Sequence, residues 1–167
     1  LVRCIKVTNL AEMRRDIRVF MHQVFQISRA GRADTALYVP DDHYLLDYKG
    51  RCCLLVAAKI VNGPNFDEYA VGNYGIEGKA GTFKDAEDGE LSGNQVEHGG
   101  VDSVMRLRNI TEAKASFEIN YWVVAADSQT DAQVVHTRLK YYPLADRLQL
   151  TRDHWEKWLA VSKPRLE

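Results

Sequence analysis

The sequence predicts a mainly β protein, an antiparallel β-sandwich with helical segments near its C-terminus. Three observations carry that prediction. Residues 16–27 alternate apolar with polar side chains, residues 52–60 form a short and almost wholly apolar run bounded by turn residues, and helical spacing of apolar residues begins only after Asp127. Alternation marks a strand with one buried face, a short apolar run marks a strand buried on both, and a new period marks a new kind of element. At 167 residues the chain suits one domain, long enough to bury roughly two-thirds of its unfolded surface.

Each element follows from local chemistry. Residues 1–8 (LVRCIKVT) are rich in β-branched side chains and stop at Asn9, as a strand running into a turn does. Leu1 already stands in strand-like sequence, so further chain upstream is expected. In residues 16–27, Ile17, Val19, Met21, Phe25 and Ile27 share one side, while Arg18, His22 and Gln26 share the other. Phe20 and Val24 on the polar side imply that this face is covered too, as in stacked sheets. His22 reads as a hydrogen-bonded structural group rather than a ligand. Residues 28–34 (SRAGRAD) form a turn, residues 35–39 a short strand, and Pro40-Asp41-Asp42 a break. Residues 43–48 and 51–60 pair as a hairpin through Lys49-Gly50, with Gly50 supplying a positive φ. The second arm, CCLLVAAKI, is a central strand, ended by Asn62-Gly-Pro-Asn65.

Residues 66–80 mix aromatic side chains with Gly72, Gly75 and Gly78 and read as irregular. Strands resume over 101–110 and 115–126. In the latter, Phe117, Ile119, Tyr121 and Val123 share one face and Trp122, Val124 and Ala126 the other. Ala132, Val135 and Leu139 then predict a helix over 131–139, with Asp131 at the end where the helix dipole favours an anion. A second helix is predicted from Thr151 as its cap, Asp153 in its first turn, and Trp155, Trp158 and Leu159 on one face. The expected division is a sandwich over 1–126 and a helical connection over 127–167.

Charge and cysteine usage narrow the function. A net charge of -1 offers no basic field for nucleic acid or an anionic membrane. No apolar run approaches the roughly 18 residues that cross a bilayer. Three cysteines, Cys4, Cys52 and Cys53, two of them adjacent, make a disulfide framework improbable, and no metal-ligand spacing occurs. Buried thiols and a cytoplasmic location are expected, with no metal and no cofactor.

The chemistry concentrates in residues 81–103, where Asp85, Glu87, Asp88, Glu90 and Glu97 stand among Gly89, Gly93, Gly99 and Gly100 with neither helical nor strand period. The stretch reads as a long ordered loop on a sheet scaffold. Calcium binding fits poorly, because glycine follows the acids in the wrong register. A catalytic carboxylate pair such as Asp85 and Glu97 would need one acid desolvated, whereas acids among glycines bond their own backbone. The favoured reading is a shaped surface for a ligand or neighbouring domain, formed by Asp85, Glu87, Asp88, Asn94, Glu97 and Asp102. Tyr69, Tyr74 and Trp122 are candidates for sugar stacking, though such aromatics more often belong to a core.

The run GTFKDAEDGELSGNQVEHGGVDS, with PNFDEYAVGNYG upstream, resembles the N-terminal β-sandwich of the bacterial and archaeal branch of glycoside hydrolase family 15, the glucoamylases, glucodextranases and related trehalases. His154-Trp155-x-x-Trp158-Leu159 is similar to the start of that family's (α/α)6 barrel. The resemblance implies part of a super-β-sandwich with strands before Leu1, and an inverting α-glucoside hydrolase whose two catalytic glutamates lie outside this chain. The sandwich would pack on and wall the barrel, contacting substrate only through the parent enzyme. The alternative is an independent carbohydrate-binding module. Exposed apolar strands would favour homo-oligomers.

Overall fold

The computed structural model describes residues 1–27, 33–76 and 78–161. In chain order its elements are β1 (Val2–Thr8), β2 (Arg15–Gln23), β3 (Asp34–Val39), β4 (Tyr44–Lys49), β5 (Cys52–Ile60), β6 (Glu68–Asn73), a 3₁₀ turn (Asp85–Asp88), β7 (Val96–Gly99), β8 (Val101–Thr111), β9 (Ser116–Ala126), α1 (Gln129–Tyr141) and α2 (Leu144–Val161). Six strands form one sheet in the order β1-β9-β5-β4-β3-β7, and three form the other, β2-β8-β6. Every strand pairing is antiparallel. The mainly β sandwich with C-terminal helices is therefore observed.

The apolar run of β5 explains the layering. Val56, Ala58 and Ile60 point into the core between the sheets, with Leu45, Met105, Leu107 and Ile119. Cys53, Leu55 and Ala57 point the opposite way, into a second core with Tyr44, Leu46, Trp122 and Val124, closed by Ala132 and Leu139 of α1 and Leu144 of α2. A strand must be apolar throughout when both faces are covered, at about 1.5–3 kcal/mol for each fully buried large side chain. The β4–β5 turn has Gly50 at φ 56, the left-handed conformation its position requires.

Several elements depart from expectation. Residues 68–73 are not irregular; they are β6, registered against β8 from Glu68↔Arg106 to Asn73↔Val101. Alternation is obscured because Ala70 and Val71 are both buried, one on each face. The predicted loop 81–103 contains a 3₁₀ turn and β7, and β8 begins within it. Strand β2 stops at Gln23, so Phe25 and Ile27 lie beyond it. Thr151 is no helix cap, since α2 starts at Leu144 and the Thr151 hydroxyl donates back to the Arg147 carbonyl at 2.9 Å. Helix α1 is capped by Ser128, whose Oγ accepts from Asp131 N at 3.1 Å. Cys4 and Cys52 are exposed; only Cys53 is buried. Most of the turn predicted over 28–34 falls at 28–32, outside the described residues.

Candidate functional site

The first half of the acidic stretch covers the outer face of the three-stranded sheet, which is charged as its cover is, while β7 at the far end pairs with β3 in the larger sheet. On β8, Asp102, Val104 and Arg106 point away from the inter-sheet core yet all are buried. Arg106 is 3% exposed and sits at the centre of the cover. Its Nη2 meets Asp67 Oδ2 at 2.6 Å and Glu68 Oε1 at 2.5 Å, and its Nη1 meets Glu90 Oε2 at 2.6 Å and donates to the Gly89 carbonyl at 2.9 Å. Arg18 on β2 reaches the same two loop residues, donating to the Gly89 carbonyl at 2.9 Å and to Glu90 at 2.7 Å. Two guanidinium forks thus clamp one turn of the loop, the geometry in which arginine outperforms lysine.

The electrostatics agree with the contacts. Burial works against the Arg106 charge, but the hydrogen bonds it donates to Asp67 and Glu90 outweigh it and hold the pKa above the ordinary arginine value. The Arg106 hydrogen bond lowers the pKa of Glu90. Desolvation raises that of Glu68, which also accepts from Leu91 N at 2.8 Å.

A second anchor lies at the start of the loop. Asp102 is 1% exposed, and its Oδ2 accepts from Thr82 N at 2.6 Å, from Thr82 Oγ1 at 2.9 Å and from His22 Nε2 at 2.7 Å. Asp102 is therefore an interior anchor and not an exposed member of the loop surface. Its neighbours must be glycines: a Cβ on Gly81 would stand 2.7 Å from Asp102 Oδ2, and one on Gly72 would stand 2.7 Å from Thr82 Cγ2.

The remaining candidates are distributed as follows. Asp85 Oδ2 caps Ser92 N at 2.7 Å, Asp88 Oδ1 caps Glu90 N at 2.9 Å, and Glu87 pairs with Lys84 at 2.8 Å. Asn94 Nδ2 donates to the Val71 carbonyl at 2.6 Å, tying the loop to the β6 edge. Glu97 sits on β7 and accepts from the neighbouring His98 N at 3.1 Å. Tyr69 is half-buried with its ring stacked on Tyr38 at 3.7 Å. Trp122 cannot be a stacking platform: it is 1% exposed beneath α1, its indole donating to His136 Nδ1 at 3.2 Å. Of the three aromatic candidates, Tyr74 is 40% exposed.

Sequence reasoning missed Arg106, Arg18, Phe83 and His136. The signal for Arg106 was present, an arginine on a strand between buried positions, facing a loop rich in acids. His22 does take the structural hydrogen bond expected of it.

These observations define the class: a two-sheet antiparallel sandwich whose larger sheet is covered by a helix and whose smaller sheet is covered by a clamped acidic loop. No family model matches the sequence, and no curated protein matches it. Among solved structures the chain is similar to a bacterial glucoamylase in complex with acarbose, with a TM-score of 0.64 and 11% identity, over 84% of this chain and 20% of that one. The fold is glucoamylase-like, and the chain spans about a fifth of that protein's length. No helix among the described residues is long and apolar enough to cross a membrane.

Proposed function

We propose that this chain is a non-catalytic β-sandwich module of a glucoamylase- or trehalase-like α-glucoside hydrolase, packing on a helical catalytic domain and walling its cleft. The likeness to a bacterial glucoamylase supports the class of parent enzyme. The observation that carries the non-catalytic role is the internal commitment of the loop acids. Asp85 and Asp88 hold backbone N–H groups, Glu90 holds two arginines, and Asp102 holds Thr82 and His22. A glycosidase needs two carboxyls facing each other across a sugar ring, whereas these acids are engaged in contacts within the chain.

Helix α2 supports the packing role. Leu144 is its only buried residue, while Leu150, Trp155 and Leu159 are each more than half exposed. Exposed aromatic and aliphatic side chains on one helix suit burial against a further domain. In this reading the unit runs through α1, which packs on β5 and β9, and α2 is the connection.

Assaying the chain alone on maltose, maltohexaose and trehalose tests the proposal. No hydrolysis is expected. Turnover that disappears in Asp85→Asn or Glu97→Gln would overturn it.

A further inference from the structure

We infer that His22, Tyr74 and Phe83, gathered over the buried Asp102 carboxylate, form a binding patch for a pyranose ring of a neutral oligosaccharide. Phe83 meets the His22 imidazole edge-on with centroids 5.9 Å apart, and Tyr74 meets it tilted at 6.4 Å. Both aromatic residues remain about two-fifths exposed, at 41% and 40%. The loop bearing Phe83 is otherwise tied down, and the two large rings flank the His22 imidazole at the surface.

The polar half of the patch is built from beneath. The Asp102 side chain is wholly buried and the His22 side chain is 28% exposed. His22 Nε2 donates to Asp102 Oδ2, so Nδ1 is the ring nitrogen left for a ligand. Thr82 supplies the other two donors to that oxygen, whereas Asp102 Oδ1 is buried without a partner. That second oxygen lies on the Gly72 side, sealed from solvent, so the carboxylate supports the patch from below and presents no atom to a ligand. The backbone is shaped to hold the cluster: Gly81 has φ +123, and a Cβ there would strike both Asp102 and the Tyr74 ring.

The chemistry selects the ligand. The Tyr74 ring suits the C–H face of a sugar, and the His22 imidazole, the Tyr74 hydroxyl and the Lys84 ammonium, which stands over the Phe83 ring at 5.7 Å, suit sugar hydroxyls. A buried carboxylate disfavours an anionic ligand, and three donors already answer its charge, so nothing there demands a cation. The patch stands on this geometry alone. That its glucose units are α-linked rests on the function proposed above.

Backbone-amide NMR titration of the chain with maltohexaose, cellohexaose and trehalose tests the patch. With maltohexaose, shifts are expected at His22, Tyr74, Thr82 and Phe83, and Tyr74→Ala and Phe83→Ala should each weaken binding about tenfold without changing the melting temperature. Absence of shifts at these residues with all three sugars, or a Tyr74→Ala affinity equal to that of the parent chain, would overturn the patch and leave the non-catalytic reading standing. A preference for cellohexaose would keep the patch and overturn its α-glucan specificity. Hydrolysis by the isolated chain would sink the non-catalytic reading without touching the patch.

Discussion

The two outer faces of this sandwich are sealed by opposite means. Over the six-stranded sheet, α1 lays Ala132 and Leu139 on Leu55, Ala57, Trp122 and Val124, with His136 as the one buried polar side chain of the helix. Over the three-stranded sheet, a stretch with little regular structure is held by Arg106, Arg18 and Asp102. An apolar cover needs a repeating face and so needs a helix; a charged cover needs only that each anchor meet its partner. The helix cover is consequently non-directional and tolerant of salt, whereas the loop cover is directional and screened by it.

The largest expected effect breaks the helix side. Trp122→Ala removes the biggest side chain under α1 and should cost about 3–5 kcal/mol. It also leaves His136 Nδ1 without its indole donor. Chemical denaturation should show that loss undiminished by added salt.

Arg106→Ala breaks the loop side by about 2–4 kcal/mol, because Asp67, Glu68 and Glu90 lose their shared counter-ion. The value stays below that of a fully buried network because those carboxylates are 28% to 57% exposed. Raising ionic strength should shrink the difference between variant and parent, and limited proteolysis should cut first within residues 81–95. Salt-independent loss, or proteolysis beginning in α1, would erase the distinction between the covers.

This contrast also explains how much was legible in the sequence. Periodicity exposed β5, β8, β9 and α1, because those elements bury apolar faces at fixed spacing. It failed at β6, whose two faces are both covered and whose Gly72 is dictated by Thr82 pressing from above. It failed at Thr151, where a good capping residue lies inside a helix fixed by Leu144 docking about two turns earlier. The acidic loop was visible as composition, but its purpose was not. Nothing local in DAEDGEL names the arginines on β2 and β8 that receive Glu90, for those contacts span 72 and 16 residues. Trp122 stood open between core and sugar platform for the same reason: alternation gives a face, and only α1 decides that the face is dry.

Acidification should open the two covers in a fixed order. Desolvation lowers the pKa of His136, which accepts from Trp122 and is 2% exposed. A depressed folded value means its contribution is present above the unfolded value of 6.5 and is lost as pH falls through it. The loop answers lower down. Glu90, its pKa lowered by Arg106, loses its contribution only as pH falls below its ordinary value of 4.5, while Glu68, raised by burial, opposes that loss. Between about pH 7 and pH 5 the protection factors of α1 amides, taken relative to intrinsic exchange at each pH, should therefore fall while those of residues 81–95 hold. His136→Gln should flatten the response of α1.

The smallest effects test whether each cover behaves as a unit. Ser128→Ala removes the acceptor that caps Asp131 N and should cost about 1 kcal/mol. Because α1 carries much of the second core, that loss should register in the melting of the whole domain. Asp85→Ala removes the comparable acceptor for Ser92 N, yet the loop keeps its arginine clamp and its Thr82 anchor. Exchange should accelerate only near Ser92, with global stability within about 0.5 kcal/mol of the parent. A global loss from Asp85→Ala as large as that from Ser128→Ala would mean that the loop, like the helix, folds only together with the sheet beneath it.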